Sequence, residues 1–146
     1  MTPEGLARLK LDEGFRPNAY PDPKSGGDPW TVGYGATGPG ITKGVVWTEA
    51  QADADIRKRV AALESRLAHD LPWFASLHPV RADVLVNVAY NVGLYAVEHW
   101  PTTLSHFAAG NWSAAAHDLR NEGQWNRDVG ARAERLAVAT ETGRWA

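Results

Sequence analysis

Apolar residues recur at helical spacing along most of this chain and lose that spacing in one stretch. Thr2 before Pro3 has the form of an N-cap and first helical residue. Leu6 and Leu9 then mark a short apolar stripe, running to Asp12-Glu13 and stopping at Gly14. From Phe15 to Thr42 the periodicity gives way to glycine, five prolines and short β-leaning pieces such as Trp30-Thr31-Val32. This segment predicts a small twisted sheet with tight turns. Thr48-Glu49-Ala50-Gln51 is a capping box opening a long helix through about Leu67, with Ile56, Val60, Leu63 and Leu67 on its apolar face. Beyond Leu71-Pro72 only helices are predicted. A strongly apolar one starts at Pro79 and stops at Asn91-Val92-Gly93. Further helices are expected at about 102–109, 112–121 and 128–142, closed by Gly110, Gly123 and Gly143.

The fold class expected is therefore α+β and mostly helical. One domain over 1–146 would comprise a β-containing lobe at about 14–47, a linking helix at about 48–67, and a helical lobe at about 72–146 joined by the N-terminal helix. Charge narrows the function classes. Residues 1–75 carry 9 Lys+Arg against 10 Asp+Glu, and residues 76–146 carry 6 against 7. Neither half has the basic excess that phosphate neutralisation needs, which argues against a nucleic-acid partner. The chain has no cysteine, which excludes thiol catalysis and a Cys-built zinc site. The five histidines lack metal-ligand spacing, so neither metal nor cofactor is expected. The seven tryptophans read first as core packing, with one or two available as faces for a sugar ring. No 18-residue apolar run occurs, and Met1-Thr2-Pro3-Glu4 lacks the basic start of an export signal. No signal peptide, membrane span or stable membrane association is therefore expected.

Carboxylates carry the candidate chemistry. Glycoside hydrolysis needs a protonated acid for the leaving oxygen and a second group on the other side of the bond. Glu13, at the end of an apolar helix, suits the acid, because partial burial and the helix C-terminus both disfavour its charge. Asp22 follows in the turn-rich Tyr20-Pro21-Asp22-Pro23, where a carboxylate stays hydrated, and the Thr31 hydroxyl is placed to orient a water. Asp12 and Asp28 compete as acids, and capping or solvated turns account for isolated carboxylates of this kind equally well. Asp12 falls about 100° around the helix from Glu13 and is expected to face solvent. Gly33 and Gly35, alternating in an expected strand, suit either close sheet packing or the approach of a flat sugar ring.

Asp12-Glu13-Gly14-Phe15, Ala19-Tyr20-Pro21-Asp22 and Trp30-Thr31-Val32-Gly33-Tyr34-Gly35 together resemble the catalytic segment of glycoside hydrolase family 24, the phage T4 lysozyme type of endolysin. Asn87-Val88-Ala89-Tyr90-Asn91-Val92-Gly93 resembles the family's central-helix element. Arg132-Ala133-Glu134-Arg135 and Thr142-Gly143-Arg144-Trp145 resemble its C-terminal elements, and only residues 43–79 lack distinctive matches. The resemblance implies a small β-containing lobe and a larger helical lobe with a cleft between them. It also implies Glu13 as general acid, Asp22 as second carboxylate and Thr31 as water-positioning hydroxyl. Arg132 would pair with Glu13, and Gly33, Gly35, Tyr90 and Asn91 would contact glycan or support the site. The implied reaction is inverting hydrolysis of the β-1,4 bond between N-acetylmuramic acid and N-acetylglucosamine, causing host cell lysis. A lytic transglycosylase or a catalytically silent peptidoglycan-binding domain are the rival readings.

The resemblance implies further that the protein is a monomer acting on peptidoglycan glycan strands. It would accumulate in the host bacterial cytoplasm and depend on a separate holin-like protein for release to the periplasmic wall. Two departures stand out. Eight residues separate Asp22 from Thr31 where the family has five, lengthening the turn around Ser25-Gly26-Gly27-Asp28. The histidine that often follows the Gly-Tyr-Gly stretch is Ala36, so any ion pair built on it is absent.

Overall fold

Thr2 caps the first helix, α1 (Pro3–Glu13): its Oγ1 accepts from the Gly5 N–H at 3.0 Å, and its carbonyl accepts from Leu6 N–H at 3.0 Å. The computed structural model describes residues 1–146, the side chain of Gln124 excepted. After α1 come β1 (Arg16–Tyr20) and β2 (Thr31–Gly33), which pair antiparallel. Then follow α2 (Glu49–Asp70), a 3₁₀ turn (Phe74–Ser76), α3 (Pro79–Val92), α4 (Leu94–Glu98), α5 (Pro101–Ala109), α6 (Trp112–Asn121) and α7 (Gly123–Thr142). The fold is α+β and mostly helical, as expected. The capping box forms as predicted, with Gln51 N–H donating to Thr48 Oγ1 (3.1 Å) and Thr48 N–H to Gln51 Oε1 (2.8 Å).

The chain divides into two compact units, residues 7–61 and residues 1–6 with 62–146. In the first, Leu9, Val32, Tyr34, Ala36, Ala52, Ile56 and Val60 form the core. In the second, α3 supplies a nearly continuous buried run from Asp83 to Ala89; α6 packs chiefly on α7, with α5 on α6 and α3 on α7. Of the tryptophans only Trp125 is buried, and the other six are half-buried at the edges of these cores.

Two elements and one residue differ from expectation here. α4 was not anticipated: it is held by the burial of Val97, a tertiary contact with no local signature. α7 begins at Gly123 rather than about 128, because Trp125 buries its indole there; the helix breaks instead at Gly130 (φ 13°, ψ −80°). Asp12 is half-buried rather than solvent-facing.

The end of α2 carries a titrating pair. Asp70 accepts from His69 Nδ1 at 2.8 Å and from Arg66 Nη2 at 3.5 Å, and it shares a proton with Glu98 of α4. The Glu98 hydrogen bond, with His69, holds Asp70 down at about 2, while the same bond and burial hold Glu98 above its usual 4.5. The contribution of Asp70 is present above its ordinary 3.8 and lost as pH falls towards 2. That of Glu98 is full below 4.5 and lost as pH rises through its raised folded value. The two coincide near pH 4. Glu98→Gln, a donor that cannot ionise, is expected to gain thermal stability over the parent as pH rises from 4 to 8. A melting-temperature difference independent of pH counts against the shared proton.

Candidate active site

Glu13 is the last residue of α1, and the N–H of Gly14 closes the helix on the Lys10 carbonyl at 2.9 Å. The chain then turns into β1, so the carboxyl stands at a helix end beside a sheet. Its Oε1 is buried, and its Oε2 faces Gly35, where a Cβ would lie only 3.5 Å from it.

The stretch around Gly35 is a turn rather than a strand, which corrects the expected alternation of Gly33 and Gly35. Val32 N–H donates to the Ala36 carbonyl at 3.0 Å and Ala36 N–H to the Val32 carbonyl at 2.8 Å, closing a three-residue loop. Both glycines take left-handed φ, 66° at Gly33 and 83° at Gly35, which a side chain would strain. Gly33 is also crowded, since a Cβ there would meet the Trp47 ring at 3.0 Å and the Ala52 Cβ at 3.2 Å. Between them Tyr34 is buried, its ring 5.7 Å from that of Phe15 and 5.8 Å from Lys10 Nζ, which pairs with Asp53. The Lys10 bond and charge, with Arg57, hold Asp53 below the usual carboxylate range.

Pairing of the strands decides the relation of Asp22 to Thr31. Arg16 lies opposite Gly33 and Tyr20 opposite Thr31, so β1 uses five residues where β2 uses three. The excess in β1 bonds outward instead: Ala19 N–H donates to the Val45 carbonyl (2.9 Å) and Trp47 N–H to the Pro17 carbonyl (2.8 Å). Pro17, lacking an N–H, fits such a bulge. Because Thr31 faces Tyr20, Asp22 leaves the same end of the ladder two residues later. The added residues are contained in a loop that bonds to itself. Asp22 N–H donates to the Gly27 carbonyl (2.9 Å), Gly26 N–H to the Asp22 carbonyl (2.8 Å), and Lys24 N–H to Asp22 Oδ1 (3.1 Å). The longer turn lies between Asp22 and Thr31, and Thr31 pairs with Tyr20. Asp28 lies in this turn, before a cis peptide bond to Pro29, and its carbonyl accepts from Ser25 Oγ at 2.8 Å.

The remaining candidates belong to the other unit. Tyr90 and Asn91 lie on the last turn of α3, Tyr90 half-buried and Asn91 exposed. Trp125 Nε1 donates to Asn91 Oδ1 at 2.7 Å, tying that turn to α7. Arg132 on α7 is buried and donates through Nε to Asn87 Oδ1 (2.9 Å) and through Nη2 to the Asn87 carbonyl (3.4 Å). Asn87, within the central-helix motif, thus accepts from this guanidinium through both its side chain and its carbonyl.

One pair went unnoticed in the sequence. Arg59 of α2 donates through Nη2 to the Tyr34 carbonyl (3.0 Å) and through Nη1 to the Gly35 carbonyl (3.3 Å). Asp55, four residues earlier, receives its Nε at 2.9 Å. The Asp-to-Arg spacing of four was legible as a helix-surface pair, but its target was not.

A carboxylic acid at a helix end, with an aspartate and a threonine at one end of a strand ladder, supplies residue types that carboxylate glycosidases use. Comparison with known proteins gives the family. Residues 10–139 match the phage lysozyme family model. The endolysin of Bacillus phage B103 is 31% identical over 133 residues, covering 86% of this chain and 45% of the relative. The chain belongs to the phage lysozyme family. It spans about half the length of the curated relative it matches.

Proposed function

We propose that the chain is a peptidoglycan-hydrolysing endolysin, a muramidase that cleaves the β-1,4 bond between N-acetylmuramic acid and N-acetylglucosamine. The observation that carries this reading is the Glu13 carboxyl under Gly35, within a chain of the phage lysozyme family. Glu13 protonates the leaving glycosidic oxygen. Asp22 and Thr31, at one end of the β1–β2 ladder, hold the water that attacks the anomeric carbon from the other face, giving inversion. Asp22 accepts the proton of that water, and the product sugar carries its hydroxyl. No cofactor takes part in this scheme. The enzyme acts as a monomer on glycan strands of the wall, accumulates in the host cytoplasm and reaches the periplasmic wall through a lesion made by a separate holin-like protein.

Product chemistry tests the proposal. Digests of purified peptidoglycan are expected to yield muramic reducing ends, with one atom of oxygen-18 incorporated per bond when cleavage is run in labelled water. Proton NMR of fresh digests is expected to show the α-anomer first. Anhydromuramoyl ends would replace hydrolysis by a transglycosylase reaction, and an initial β-anomer would replace inversion by retention. Intact glycan after prolonged incubation would leave a binding domain without catalysis.

A further inference from the structure

We infer that Arg59, backed by Asp55, is a positioning residue for Glu13, acting through the Gly33–Gly35 turn; the inference rests on the proposed role of Glu13 as acid. A three-residue loop between two strand hydrogen bonds cannot satisfy its own carbonyls, and a partly covered carbonyl needs a donor from elsewhere. The carbonyls of Tyr34 and Gly35 find it in one guanidinium, at 3.0 and 3.3 Å. Planar geometry lets Arg59 span two adjacent carbonyls while its Nε remains on Asp55 at 2.9 Å, and Nη2 also lies 2.8 Å from the same carboxylate oxygen. Both side chains rise from one face of α2, a helix of 22 residues, so the anchor has a rigid base.

What is anchored matters for the acid. Gly35 is the residue whose α-carbon faces Glu13 Oε2, with space for little more than contact. Tyr34, on the same loop, is locked by burial against Phe15. The carboxyl is thereby confined between the end of its own helix and a turn that has two glycines with left-handed φ. Such a turn is not held by local preference alone, since glycine keeps wide freedom in the absence of outside bonds. The side chain at position 36, next to the turn, is a buried methyl with no bonding capacity. Arg59 supplies those outside bonds.

A shift of about 1 Å in a group that fixes a catalytic side chain costs on the order of 100-fold in turnover. Arg59→Met, which keeps the aliphatic stem, is expected to lower kcat on soluble peptidoglycan fragments about 10- to 100-fold and to leave KM within about threefold of the parent. Arg59→Lys retains the charge but not the fork, and is expected to fall between the two. Arg120→Met, which removes an arginine paired with Glu134 in the other unit, serves as the control for a merely lost ion pair and is expected to leave kcat unchanged. Hydrogen exchange gives a readout independent of turnover. The amides of Val32 and Ala36 are expected to exchange faster in both Arg59 variants while those of α3 are unaffected.

A folded Arg59→Met protein with kcat within twofold of the parent, or Arg59→Lys with full parental kcat, overturns the inference. So does unchanged exchange at Val32 and Ala36. If the parent itself releases no product, the muramidase reading fails, and the exchange experiment still decides whether Arg59 anchors the turn. If the parent is active and both Arg59 variants match it, the positioning role fails alone.

Discussion

Glu13→Gln is expected to lower the clearing rate of a peptidoglycan suspension by about 10³-fold, within the range that general acid catalysis contributes. Glutamine matches glutamate in size, so Gly35 keeps the neighbour it packs against and the end of α1 keeps its shape. What disappears is the proton. An amide cannot protonate a glycosidic oxygen, and an unprotonated sugar alkoxide is too poor a leaving group to depart at a useful rate. The substitution also removes whatever charge the residue carries, so its melting temperature needs checking. A change of less than about 3 °C, near 1 kcal/mol for a domain of this size, shows that the loss is chemical. Clearing at more than about a tenth of the parental rate by a folded Glu13→Gln protein is incompatible with the 10²-fold minimum of a general acid. It would pass the role to another carboxylate, with Asp12 the first to test.

How the acid is held was only partly legible in the sequence. The helix that ends at Glu13 could be read from Thr2-Pro3 at one end and Gly14 at the other, because caps are local chemistry. The same holds for the box at Thr48–Gln51 and the glycine stops after α5 and α7, whereas Gly123, expected to close α6, begins α7. The glycine-rich stretch announced turns, but not where the strand stops. Gly33 was expected inside an alternating strand. Its left-handed φ and the Trp47 ring against it depend on contacts between segments 14 residues apart, which no window of the sequence displays. The length of the extended turn was legible, but not that the loop bonds to itself through Asp22, Gly26 and Gly27 while Thr31 pairs with Tyr20. The least informative stretch, residues 43–79, contains Asp55 and Arg59. A motif search is blind there because the arginine recognises backbone carbonyls, and any sequence that forms the turn presents those. Arg132 also reaches a backbone carbonyl, that of Asn87 on α3.

Gly5→Ala is expected to be the most destabilising single methyl addition in the chain. In an exposed helix the exchange would gain about 0.5–1 kcal/mol. Here a Cβ would fall 2.2 Å from Asp83 Oδ2 and 2.7 Å from its Cγ, inside the contact distance of any pair of heavy atoms. Asp83 is 2% exposed and cannot retreat towards solvent. Its carboxylate is committed to the start of α1, accepting from Thr2 N–H at 3.0 and 3.2 Å and from the Thr2 hydroxyl. That hydroxyl also caps the helix through Gly5 N–H. Rotating Asp83 away would strand an acid that burial already pushes above its ordinary pKa, and would free the cap it holds. Overpacking costs about 1–3 kcal/mol, and the lost charge-assisted bonds about 1.5–3 kcal/mol. Less the helix gain, the net loss is about 1.5–5.5 kcal/mol, or roughly 5–16 °C in melting temperature for a domain of this size. The decisive comparison is made in an Asp83→Ala background. With the carboxylate gone the added methyl has room, and the sign should reverse to a gain of a few tenths to about 1 kcal/mol. Equal losses in both backgrounds would mean that the methyl strains α1 itself. A parental melting temperature for Gly5→Ala would mean that Asp83 finds another rotamer without loss of the Thr2 bonds.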